Sequence, residues 1–272
     1  YGFLARSIIE NINKNFKYNI FCICRIKKNN KKNSFNINFV DISKIKKINF
    51  HKNIDVIINT IGNINHDNFN SKSENQIFIE HFLLPKMILD KITKSLKTLF
   101  IQIGSIDELK QIKNKKYYKS PYALYKNYFS NYLLTLKYNN ILNSKIVYVN
   151  SVFGKYQKKD RLIPNVIENF IKNKSFIPDN PNQKRNFISS EEFVTSLEKI
   201  ITKHSKFQDQ IIIKSKFDYK VGDIVSFIIK NKNIKKYISS KMNNTKIDTV
   251  YVKENIKIET KLRKVIDFYA NE

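Results

Sequence analysis

Short runs of consecutive apolar residues alternate along this chain with longer stretches in which apolar positions recur every three or four residues. The runs Ile20 to Cys24, Val56 to Asn59, Thr98 to Ile103 and Lys145 to Val149 read as buried strands. Between them, Leu4 to Asn13, Asn75 to Leu96 and Tyr122 to Tyr138 read as helices. Strands separated by helices are what βαβ units require, so the pattern predicts an α/β chain with a mainly parallel sheet. The second helix contains Pro85, whose missing N–H predicts a kink or a break there. The third is well bounded. Pro121 suits a first-turn position, and Leu124, Phe129, Tyr132, Leu133 and Leu136 recur near helical spacing.

From Gly154 onward the pattern changes. Pro164 to Asn186 holds Pro164, Pro178 and Pro181 among many Asn residues, and reads as a helix followed by an irregular segment outside the main sheet. At the other end, Tyr1-Gly2-Phe3-Leu4-Ala5-Arg6-Ser7 runs straight into a helix with no strand before it. A parallel sheet of this kind needs a first central strand, so the expectation is that the true start lies upstream.

A chain of 272 residues with 42% hydrophobic content can bury a full core, which excludes a disordered tail. The net charge of +27 invites a nucleic-acid reading. The lysines are spread among Asn and Ile, as in Lys44-Ile45-Lys46-Lys47-Ile48-Asn49, and no zinc spacing or aromatic RNA-binding pattern accompanies them. No specific nucleic-acid partner is therefore expected. Cys22 and Cys24, two apart in an apolar run, should share one face of a strand as core thiols; no metal site is expected, and a reducing cytoplasm fits. No apolar run reaches the roughly 18 residues of a membrane span.

The strongest chemical signal is Lys119-Ser120-Pro121-Tyr122-Ala123-Leu124-Tyr125-Lys126. Residues four apart on a helix leave the same face, so Tyr122 and Lys126 can meet one substrate carbonyl. An ammonium beside a phenol favours the phenolate and moves it towards neutral pH, where it exchanges protons efficiently. The strand Thr98 to Ile103 runs into Gly104-Ser105, which puts Ser105 at the carboxyl end of a strand, where open α/β sheets bind ligands. Ser105 can orient the same oxygen, or it can simply cap the segment that follows.

Set in order, these pieces resemble the extended short-chain dehydrogenases/reductases, the NAD-dependent epimerase/dehydratase group, in its nucleotide-sugar branch. Gly2-Phe3-Leu4-Ala5-Arg6 is similar to the second half of that family's glycine-rich turn, Asp41-Ile42 to its adenine-contacting pair, and Asp55 to Gly62, with Ile61 in place of Ala, to the strand and turn beside the cofactor. Ser105, Tyr122 and Lys126 match its catalytic set. Val152-Phe153-Gly154, Leu162-Ile163-Pro164 and Gln183 to Ile188 match later segments. His81 and Ser151 stand where the family often has Asn, and Arg185 matches an arginine that commonly binds the nucleotide diphosphate.

The resemblance implies a Rossmann-like doubly wound parallel sheet over residues 1–150 and a smaller, mainly C-terminal substrate-binding region over 151–272, parts of which return to the first. It implies an NAD(P)-dependent epimerase or reductase acting on a nucleotide-activated sugar. Tyr122 would exchange the proton, Lys126 would lower its pKa and hold the ribose, and Ser105 would orient the oxygen. Gly2, Phe3, Leu4, Arg25, Asp41, Ile42, Ile61 and Gly62, with Tyr122 and Lys126, would contact the cofactor; His81, Ser151 and Arg185 would contact the substrate. Arg25, Lys27 and Lys28 after the first strand tilt the choice from NAD towards NADP. A homodimer stays open, as do a 4,6-dehydratase suggested by Asp107-Glu108 and a non-catalytic Rossmann nucleotide-binding protein.

Overall fold

Alternation within one strand decides how this molecule is layered. Along β4 (Leu99–Ser105), Leu99, Ile101 and Ile103 join one apolar cluster while Phe100 joins another, so the strand has helices on both faces. The computed structural model describes residues 2–12, 18–24, 37–43, 54–62, 71–92, 96–110, 118, 120–231, 233–239, 246–253 and 256–271. Its central sheet has the order β12-β9-β5-β4-β3 and every pairing in it is parallel. The strands are β3 (Val56–Asn59), β4, β5 (Asn143–Val149), β9 (Gln210–Lys214) and β12 (Ile247–Tyr251). A separate parallel pair, β1 (Ile20–Cys24) and β2 (Ile37–Asp41), packs Cys22, Cys24 and Ile37 against Ile9. Both cysteines are free thiols on one strand face, and burial pushes Cys22 up to about 12.

On one face lie α1 (Phe3–Ile12) and α6 (Ser190–Thr202), which bring Ile8, Phe193, Leu197 and Ile200 onto the sheet. On the other lie α3 (Leu84–Asp90) and α4 (Pro121–Tyr138), contributing Leu89, Phe129 and Leu133. Here the structure corrects the single helix expected from Asn75 to Leu96. It is α2 (Ser71–Phe78), one π-helical turn at Ile79–Leu83, then α3. The interruption expected at Pro85 is this π-helical turn, with Pro85 in the first turn of α3 directly after it.

The chain after β5 builds a second, smaller core. β6 (Ser151–Phe153), α5 (Leu162–Ile171), β8 (Phe187–Ser189), β10 (Phe217–Lys220), α7 (Val221–Lys230) and α8 (Ile258–Ala270) bury Phe153, Val166, Ile224 and Leu262 together. β6 pairs with β8, while β7 (Lys184–Arg185), β10 and β11 (Tyr237–Ile238) form an antiparallel three-strand sheet. From this region β9 and β12 return to the central sheet. No helix among the described residues is long and apolar enough to cross a membrane.

Candidate active site

The carboxyl end of β4 is shaped by Gly104. A Cβ there would lie 2.8 Å from Tyr148 Cδ1 and 2.9 Å from Glu108 Oε1, so only glycine lets these groups close over the strand. Ser105 follows and caps the 3₁₀ turn Ile106–Leu109: its Oγ accepts from the Asp107 N–H at 3.2 Å, and its own N–H donates to Glu108 Oε1 at 2.7 Å. Ser105 is also hydrogen-bonded to the Tyr122 hydroxyl. One serine thus both caps the turn and meets the Tyr122 hydroxyl.

Opposite stands the start of α4. Ser120 Oγ accepts from the Ala123 N–H at 3.4 Å, and Pro121 occupies the first turn, where its missing N–H costs nothing. Tyr122 and Lys126, one helical turn apart, are both buried against the sheet. Lys126 Nζ donates to the Ile103 carbonyl at 2.8 Å and sits 5.7 Å from the centre of the Tyr122 ring. The π-helical turn delivers His81, also buried, edge-on to Tyr122 with ring centres 4.9 Å apart. Gly62, just past β3, completes the group: a Cβ on it would meet His81 Cε1 at 3.6 Å and Lys126 Nζ at 3.8 Å. Five of the residues singled out in the sequence, Gly62, His81, Ser105, Tyr122 and Lys126, therefore converge.

The electrostatics depart from the expectation that Lys126 draws Tyr122 downward. Burial pushes the Tyr122 hydroxyl up, Glu108 adds to the rise, and the Ser105 hydrogen bond and Arg161 pull against it. Lys126 itself is lowered by burial, with Glu108 opposing. Its ammonium is turned to the Ile103 carbonyl, which accounts for its weak hold on the phenol.

The other expected contacts lie around this centre. Gly2 is exposed at the start of α1, where its carbonyl accepts from the Arg6 N–H at 3.0 Å. Phe3 and Leu4 pack against the main core. Asp41 ends β2 and accepts from the Ser43 N–H at 2.9 Å; Ile42 and Ile61 join an apolar cluster with Ile88 and Ile92. Ser151 opens β6, its N–H donating to the Asn186 carbonyl at 3.2 Å. Arg185 is held apart on β7, where its Nε donates to Gln183 Oε1 at 2.8 Å. An open groove of about 250 Å³ is lined by Phe176, Pro178, Pro181, Gly222, Val225 and Ile229. Arg25 lies outside the described residues.

Two participants were not assigned from the sequence. Arg161, at the start of α5, exerts its charge on Tyr122. Glu108 is bonded through Oε2 to the Ser130 hydroxyl at 2.8 Å and stands against the turn of α4 that carries Lys126. The spacing Ser105-x-x-Glu108 is the signature of a capping box and was the signal for it.

The NAD dependent epimerase/dehydratase family matches residues 1–214. No curated protein matches the chain in sequence. Among solved structures, a UDP-glucuronic acid 4-epimerase from Bacillus cereus, crystallised with UDP-glucuronic acid and NAD, is 17% identical with a TM-score of 0.76, over 99% of this chain and 96% of that one. A dTDP-glucose 4,6-dehydratase from Bacillus anthracis, with NAD, is 15% identical with a TM-score of 0.70, over 100% and 94%. A UDP-N-acetylglucosamine 4-epimerase from Methanobrevibacter ruminantium, in complex with UDP-N-acetylmuramic acid, is 16% identical with a TM-score of 0.70, over 99% and 96%. These likenesses establish a Rossmann-like fold for the central sheet and its helices.

Proposed function

The chain belongs to the NAD dependent epimerase/dehydratase family, and from that premise we propose that it epimerises a nucleotide-activated sugar with a tightly held nicotinamide dinucleotide. The observation that carries the reading is the convergence of Ser105, Tyr122 and Lys126 at the carboxyl end of β4, in the order and places the family's chemistry needs. The residues fit a dinucleotide. Among the described residues none comes within 4 Å of where a Gly2 Cβ would be, and Gly2 stands at the N-terminus of α1, where a pyrophosphate is favoured. Gly62 has no side chain to crowd Lys126 and His81, which a Cβ there would meet at 3.8 and 3.6 Å. Asp41 and Ile42 would flank the adenine, and Ile61 the ring beside it. The cations Arg25, Lys27 and Lys28 support NADP over NAD.

The bound cofactor supplies acceptance and return of a hydride at the sugar carbon. Tyr122 takes the proton from the sugar hydroxyl and gives it back, Ser105 fixes the oxygen between them, and Lys126 holds the ribose. His81 and Ser151 orient the sugar. Arg185 holds the diphosphate of the nucleotide. Residues 1–150 form the cofactor-binding domain and 151–272 the substrate region in this reading. Exposed Ile79, Leu83 and Tyr128 on the helices around α4 support a second copy docking there, and free Cys22 and Cys24 suit a cytoplasmic enzyme.

Epimerisation is preferred to dehydration because Glu108, half of the acidic pair that suggested the latter, is 1% exposed with both oxygens engaged. Incubating the protein with NAD or NADP and a panel of UDP-sugars, read by proton NMR and mass spectrometry, tests the reading. An epimer of unchanged mass supports it; a product lighter by one water, or none with any sugar, refutes it.

A further inference from the structure

Glu108 is the most deeply buried charged side chain near the proposed chemistry, and the proton-transfer scheme above gives it nothing to do. Its two oxygens are both taken: Oε1 accepts from the Ser105 N–H at 2.7 Å and Oε2 from the Ser130 hydroxyl at 2.8 Å. Ser130 is one helical turn past Lys126 on α4, so the carboxylate bridges the end of β4 to the turn that carries the lysine. Gly104 exists to let it approach, since any Cβ there would fall 2.9 Å from Oε1. Two donors pointing at one carboxyl favour its ionised form, and a buried carboxylate needs a cation close by. Lys126, one turn before Ser130 on that helix, is a cation whose charge acts on Glu108.

We propose that Glu108 is the positioning residue of this site: without touching substrate, its carboxylate holds Ser105 in reach of Tyr122 and supplies the buried counter-charge of Lys126. This rests on the reading of Tyr122 and Lys126 as the proton-transfer pair, and goes beyond it by assigning what holds Ser105 and Lys126 in place beside Tyr122. Burial holds Glu108 above and Lys126 below their ordinary values, and each pulls the other part of the way back. Removing the carboxylate leaves the lysine with burial unopposed. The other ionisable groups whose charge is coupled to Glu108 are Asp107, Tyr118, Tyr122 and Tyr148.

Glu108→Gln separates charge from shape, because an amide can still accept from the Ser105 N–H and meet the Ser130 hydroxyl. In the full chain carrying ε-¹³C lysine, the Lys126 signal, identified by its loss in Lys126→Arg, is titrated by NMR. In Glu108→Gln its midpoint moves to lower pH than in the parent. Should that variant not fold, Ser130→Ala keeps the charge but removes one of its donors, and its midpoint moves the same way by less. An unmoved Lys126 midpoint in the folded variant overturns the proposal. Turnover adds a second reading: kcat of Glu108→Gln falls about tenfold or more with KM little changed, as expected when an interaction serves only the transition state. Full kcat in that variant also overturns the proposal. If the parent turns over no nucleotide sugar, the functional reading fails while the NMR titration still decides the role of Glu108.

Discussion

Replacing Tyr122 by Phe removes one hydroxyl from a ring that is 4% exposed and leaves its packing against His81 in place. The structural loss is the hydrogen bond to Ser105, worth about 0.5–1.5 kcal/mol net. For a chain of this size that lowers Tm by only a few degrees, roughly 2–4 °C per kcal/mol. Cofactor affinity should hold. Catalysis should not: loss of the proton-transfer group costs about 10²- to 10⁴-fold in kcat, a barrier rise of roughly 3–5 kcal/mol. The two magnitudes are far enough apart to be read separately, melting by calorimetry and turnover of a UDP-sugar by NMR. Tyr125→Phe is the comparison. Its hydroxyl donates to Glu74 at 2.6 Å, away from Ser105, so turnover should stay within about twofold. If Tyr122→Phe keeps full turnover, or Tyr125→Phe alone loses it, the assignment of the proton carrier is wrong.

Gly104→Ala should destabilise the fold by about 1–3 kcal/mol, because its methyl must displace the Tyr148 ring and Glu108 together; an unchanged melting temperature would mean the strand end relaxes freely. Arg185→Ala should raise KM for a nucleotide sugar roughly ten- to a hundredfold while kcat barely changes; a fall in kcat alone would remove Arg185 from diphosphate binding. Asp209 gives a pH signature. Burial raises its carboxyl, but hydrogen bonds from Lys137 and Lys145 outweigh this and hold it below its ordinary value of 3.8. A depressed carboxylate stabilises fully above 3.8, and that stability is lost as pH falls through the lower folded value, so Asp209→Asn should flatten the acid limb of the melting curve. An identical acid limb would show the pair to be idle.

The sheet was legible where strands are wholly apolar. Ile20–Cys24 and Val56–Asn59 have the bounds that the apolar runs suggested, because nothing polar interrupts them. β5 begins two residues before the expected Lys145, at Asn143, since Ser144 and Lys145 are polar yet buried: Ser144 Oγ donates to the Leu133 carbonyl at 3.0 Å, and Lys145 Nζ to the Gln208 carbonyl at 3.2 Å. Such partners come from distant chain and leave no mark in a local window. The π-helical turn at Ile79–Leu83 was hidden for a related reason, its apolar residues fitting an ordinary helix equally well. Tyr122, Lys126 and Ser105 were legible because each sits at a strand end or helix start that sequence defines. What Glu108 does there was not, since burial and the company of Ser130 appear only once α4 lies across β4.

The central claim is that a hydride leaves the sugar and returns to the same carbon on the opposite face. A UDP-sugar carrying deuterium at the carbon that is inverted tests it directly, in ordinary water with the cofactor present. The account predicts that the epimer keeps its deuterium, because the label travels to the cofactor and back without meeting solvent. An epimer in which that deuterium has been replaced by hydrogen from water would contradict it, since inversion would then proceed by removal of a proton from carbon.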